Sequence, residues 1–366
     1  MLPAHACHGL GRYVPTGPEP PAILANIARG LPGRRPARAA SAACHAPRTM
    51  NISTSRVSAP SRPAWRSVTL AALLFVAPLA ALAQSSAAAG DGGDAAAALQ
   101  AKYRSLQPQL QRNAFDRPLA LTSNEASAGL SGDIYAVVEH PIADVRRAME
   151  SPAVWCEVLM LHLNTKYCAV RDAEAGAADG RTAALNVAVG RKFDQPLKDA
   201  QRLDFGYRVA ATRADYLDVR LSAASGPLST RDYRIALEAV PIDGGKTFIH
   251  LGYSYAYGTA ARLAMKSYLA TIGSDKVGFT TTGQGGQGGG EFIGGVRGVV
   301  ERNTMRYYLA IDAYLDAPGP QGREKRLGDW FDDTERYARQ LHEMDRDDYL
   351  AMKRNEFQRL QAGAKP

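Results

Sequence analysis

Between residues 128 and 258, hydrophobic and polar positions alternate in short runs that break at turn residues such as Ser225-Gly226-Pro227 and Asp243-Gly244-Gly245. Period-two alternation puts successive side chains on opposite faces of a pleated strand. It predicts strands over 131–139, 161–170, 182–191, 202–210, 216–223, 230–240 and 247–257. Between the first two, Pro141 opens a helical segment with Ile142, Val145 and Met149 on one side, and Ser151-Pro152 starts a second turn through Trp155. Helical spacing returns in 260–271, at Leu263, Lys266 and Leu269. It is strongest in 296–315, where Val299, Val300, Met305, Tyr307, Tyr308, Ile311 and Leu315 form an apolar stripe. A short helix over 99–110 precedes the alternating region, and the charged end of the chain carries Trp330, Tyr337, Leu341 and Met344 at helical spacing.

The order strand, helix pair, six strands, long helix predicts an α+β fold. A curved antiparallel sheet of about seven strands buries one face under the long C-terminal helix, with a helical tail beyond it. Two segments then carry a family resemblance. Gly226 to Arg234 (GPLSTRDYR) resembles the Pro-x-Ser-x-Arg-Asp-Tyr/Phe segment that opens a strand in START lipid-transfer domains, and Ala148 to Trp155 (AMESPAVW) resembles the helix-turn-Trp segment before their second strand. The chain thus resembles the START, polyketide-cyclase and Bet v 1-like helix-grip superfamily over about 190 residues, with Leu237 where many START domains carry a further arginine. The resemblance implies a domain over 126–318 that binds a lipid or other hydrophobic molecule in an internal cavity, with no cofactor. It implies also that an acidic residue one strand earlier can pair with a cavity arginine; Asp218 has that offset, but the opposite parity to Leu217, Val219 and Leu221. A polyketide-cyclase-like enzyme on the same fold, or an envelope interaction protein with a collapsed cavity, are the alternatives.

Charge changes the picture only by its location. The formal net charge is +8, yet residues 1–83 hold nine arginines against the single acid Glu19, leaving 35 basic and 35 acidic residues in 84–366. The body is neutral, which removes the basic surface that nucleic-acid binding needs. Met50 is followed by Arg56, Arg62 and Arg66, an apolar run over 68–82 and Ala81-Leu82-Ala83, the three regions of a secretory signal peptide over 50–83. Cleavage is expected after Ala83, with a periplasmic or secreted product. Residues 1–49 read as an over-called start upstream of Met50 or as disordered, and 84–125 as a linker with one short helix. Cys156 and Cys168 are then the two cysteines of the mature chain, a disulfide candidate in an oxidising compartment, with two buried thiols as the alternative.

The candidate site follows from strand parity. Arg231, Tyr233, Ile235, Leu237 and Ala239 share one face, so Arg231 enters the cavity from the strand's start and meets a carboxylate or a ligand's polar head, or else stays at the rim in water or paired with a loop acid. The next strand sets Tyr253, Tyr255 and Tyr257 on its core face, an unusual row for a dry interior because each buried hydroxyl needs a partner. Tyr308 joins them from the long helix. The segment 260–290, with Leu263, Tyr268, Gly285 and Gly289, is expected to form a lid or a plain connector, and transient membrane contact would accompany ligand exchange. Its glycines lack the Lys-Ser/Thr of a phosphate loop. The mature chain's histidines, His140, His162, His250 and His342, form no zinc spacing, and no Gly-x-Ser-x-Gly elbow exists.

Overall fold

The computed structural model describes residues 92–127, 129–171, 181–258, 262–263, 275–282 and 290–366. The expected leader lies outside them. Eight strands form one antiparallel sheet: β1 (Leu119–Glu125), β2 (Gly129–Val138), β3 (Thr165–Arg171), β4 (Thr182–Val189), β5 (Gln201–Arg213), β6 (Tyr216–Ser225), β7 (Thr230–Ile242) and β8 (Lys246–Tyr257). Their spatial order is β1-β2-β8-β7-β6-β5-β4-β3. The expectation of seven strands is corrected to eight, because β1 pairs along its whole length with β2. Only its first half, Leu119 to Leu121, is apolar, so alternation did not reveal it. The domain therefore begins well before residue 126.

Seven helices complete the described fold: α1 (Gly92–Gln111), α2 (Ile142–Met149), α3 (Pro152–Leu161), α4 (Gly295–Asp316), α5 (Arg323–Glu335), α6 (Ala338–Leu341) and α7 (Arg346–Gln361). Ser151 caps α3 by accepting from the Val154 amide, with Pro152 in the first turn where no amide donor is needed. That helix runs through Leu161, so the strand expected from 161 starts only at Thr165. Trp155 and Tyr207 both donate to the Met149 carbonyl, at 2.9 and 3.1 Å, and fix the helix pair on the sheet. The disulfide Cys156–Cys168 ties α3 to β3.

α4 crosses the concave face. It packs tightly on β2, where a side chain on Gly132 would run into the Thr304 hydroxyl. Only glycine leaves room for Thr304 there. The opposite, convex face is covered by α1, whose Leu99, Leu106 and Leu110 pack with Tyr216, Val240 and Phe248. The tail also joins the main core: Leu327, Trp330, Phe331, Tyr349 and Phe357 share one cluster with α4 and the concave strands. The boundary drawn at residue 318 therefore does not separate two cores.

Candidate functional site

Away from Gly132, the α4 helix and the sheet leave a cavity of about 190 Å³ between the start of β5, the end of β4, α4 and the turn before α7. One side is apolar and aromatic: Leu203, Phe205, Tyr233, Tyr253, Val299 and Tyr307. Tyr253 and Tyr307 stand with ring centres 5.3 Å apart, and Phe205 meets Tyr233 edge-on at 6.4 Å. The other side is polar: His162, Lys192, Gln195, Arg302, Asn303, Arg306 and Glu343. A second depression of about 360 Å³, between α2 and the end of α4 and lined by His140, Asp144 and Arg147, lacks such convergence.

The electrostatics of the two sides differ. Burial, then the neighbouring Tyr307, Tyr233 and Tyr255, pushes the Tyr253 phenol well above its ordinary 10, so it stays neutral. Burial, then the charges of Arg306, Lys353 and Lys192, pushes His162 well below 6.5, so the ring is neutral too. Burial also lowers Lys192 to about 8 and Arg302 to about 10, the Glu343 carboxylate opposing the first and Arg306 reinforcing the second. Glu343 itself falls below the usual carboxylate range: burial would raise it, but Lys192, Arg306 and Lys276 outweigh that cost.

Of the residues expected to line the cavity, Tyr233 and Tyr253 do so. Tyr255 stacks behind Tyr233 at 5.4 Å, one layer from the open space. Tyr257 is buried farther along β8, its hydroxyl unpartnered among the described residues. Arg231 is not in the cavity and takes the rim alternative. A bulge between Arg231 and Arg234 shifts the parity, with Asp232 at φ 55°, so Arg231 turns outward and pairs with Asp232 at 3.3 Å in solvent. Asp218 is corrected: it is buried on the convex side, where it accepts from Arg220 at 2.6 Å. Tyr308, one helical step from Tyr307, faces Arg117 instead of the cavity. Leu263 is 69% exposed, while Tyr268, Gly285 and Gly289 lie outside the described residues.

The polar side went unnoticed in the sequence. Arg302, Asn303 and Arg306 recur at helical spacing beside the apolar stripe of α4, a row that reads as a solvated face until the tail covers it. Glu343 sits in the turn between α6 and α7 and carries no local signal. Among the described residues, no three His, Cys, Asp or Glu side chains gather closely enough to hold a metal ion, and no helix is long and apolar enough to cross a membrane.

No family model matches the sequence, and a search of curated proteins finds no match. Solved structures do show likeness. Human StAR-related lipid transfer protein 5 matches at 8% identity and TM-score 0.26, covering 50% of this chain and 96% of its own. The Zhui aromatase/cyclase from Streptomyces sp. R1128 matches at 9% identity and TM-score 0.26, covering 43% and 87%. Truncated norcoclaurine synthase from Thalictrum flavum matches at 12% identity and TM-score 0.25, covering 41% and 96%. At such identities and scores, the activities of those proteins carry no weight for this one. Its own topology is explicit: an antiparallel sheet with a helix pair inserted after the second strand, closed over its concave face by one long helix, is a helix-grip fold.

Proposed function

We propose that this protein is an exported carrier that holds a hydrophobic small molecule between α4 and the concave face of the sheet. The observation that carries the reading is the cavity itself: about 190 Å³ walled by Phe205, Tyr233, Tyr253 and Tyr307, in a region where close packing would otherwise leave no such void. An apolar cavity of about 150 Å³ is enough to take up benzene. The space suits one or two rings or a short acyl chain, and is too small for a two-chain lipid. Export rests on the basic and apolar leader that ends at Ala83.

The test uses 1-naphthylamine, an uncharged two-ring probe whose fluorescence changes on leaving water. Saturable binding by the wild-type protein, abolished by Val299→Trp with little change in Tm, supports the carrier reading. Val299 lines the space without making a polar contact, so the larger ring fills it. Absence of saturable binding, or binding indifferent to Val299→Trp, rules the reading out.

A further inference from the structure

The polar half of the cavity is unbalanced in two respects, and both point to one ligand chemistry. The first is charge. Four cationic residues line the space (Arg191, Lys192, Arg302 and Arg306) against two acidic ones, Asp199 and Glu343. Glu343 is already shared, at 2.6 Å from Lys192, 3.0 Å from Arg306 and 3.2 Å from Lys276. Arg302 is 3% exposed and donates to the Val277 carbonyl at 2.9 Å, but has no carboxylate within ion-pair distance among the described residues. Its neighbour Glu301 is committed elsewhere, accepting from Ser123, from the Phe279 and Thr280 amides and from the Thr280 hydroxyl. A buried guanidinium without a counter-ion is costly.

The second imbalance is in hydrogen bonding. Two residues of the wall hold a buried nitrogen with no partner among the described residues: Gln195 Nε2 and Arg306 Nε. Both are donors. Gln195 Oε1 accepts from the Arg191 amide at 2.6 Å, which leaves the NH2 side free. The wall has donors and positive charge to spare and is short of acceptors.

We propose that the carried molecule is a compact hydrophobic carboxylate, its acid group held at Arg302 and Arg306 and its apolar body lying among Phe205, Tyr233, Tyr253 and Tyr307. A carboxylate supplies both what the wall lacks, acceptor oxygens and negative charge, and the tail's own Glu343 shows that the site accommodates one. A bare inorganic anion would leave the aromatic side empty, and an uncharged hydrocarbon would leave Arg302 without a counter-charge. At neutral pH Arg302 keeps its proton, since burial lowers it only to about 10.

This inference rests on the carrier reading above, and the experiment separates the two. Calorimetric titration of the full chain compares naphthoate with naphthamide, which has the same rings and no charge, with 1-naphthylamine as the neutral control. Naphthoate should bind about tenfold or more tightly than naphthamide, the worth of one charge-assisted hydrogen bond. Arg302→Gln should bring the naphthoate-to-naphthamide affinity ratio close to one. Equal wild-type affinity for the two ligands overturns the inference without any variant having to fold, as does neutral-probe binding with no naphthoate binding. Failure of all three ligands to bind overturns the carrier reading and the inference together.

Discussion

Two clusters in this protein set several cations around one buried carboxylate, and they have opposite characters. At the corner between α3 and β3, Glu356 of α7 takes Lys166 and Lys353 at 2.8 Å each, with all three side chains fully buried. Every proton there has an acceptor: Lys166 also donates to the Leu163 carbonyl, and Lys353 to those of His162 and Thr165. Around Glu343 stand three cations, Lys192, Arg306 and Lys276, yet the cluster borders open space and Arg302 has no counter-ion among the described residues. The closed cluster holds the tail on the domain, and the open one has recognition capacity left over. Partner count, more than the number of charges, separates a structural site from a binding site.

The largest way to break this contrast is at the closed corner. Glu356→Gln strands two buried ammonium groups and should cost about 3–5 kcal/mol in denaturant unfolding. Glu343→Gln should cost clearly less, because Lys192 and Lys276 reach water at 15% and 30% exposure and only Arg306 is stranded in the interior, and should tighten naphthoate binding by removing a competing anion. Comparable losses for the two variants would erase the distinction. Next in size, replacing Cys156 and Cys168 together by alanine should cost about 3 kcal/mol, the loop entropy of a short closure. Since that bond ties α3 to β3 beside the closed corner, naphthoate affinity should change little once the variant is folded.

The smallest effect tests a third cluster, on the convex face, where His250 bridges Asp133 at 2.9 Å and Glu238 at 3.0 Å. Burial alone would lower its pKa, but the hydrogen bonds and charges of those two carboxylates raise it from 6.5 to about 9. With the folded value above the unfolded one, the stabilisation is complete below pH 6.5 and is lost as pH rises through about 9. His250→Gln should therefore lose about 2 kcal/mol near neutral pH, and the gap to wild type should close as the solution turns alkaline. A gap that widens with pH would mean the ring is held neutral. Like Glu356, His250 is fully partnered and should leave ligand binding untouched.

Seven of the eight strands, the helix pair and α4 were legible in the sequence, because alternation and helical spacing are local consequences of burying one face. The same parity rule correctly set Tyr233 and Tyr253 on the inner face. It failed at Arg231, where one extra residue in a bulge reverses every assignment on its far side. It could not distinguish Tyr307 from Tyr308 either, since both belong to the apolar stripe and only the packing of α4 against Arg117 on one side and the cavity on the other divides them.

The sequence by itself determined which segments extend, which coil and which face of each is apolar, for these depend on neighbours a few residues away. Tertiary structure alone decided where the helix and sheet part, and which charges gather there. Arg302, Lys192 and Glu343 lie more than 40 residues apart in the chain or on separate elements, and meet only because α4 crosses the sheet and the tail folds back over it. A charge's character depends on how much water and how many partners surround it, and no local pattern of residues records that.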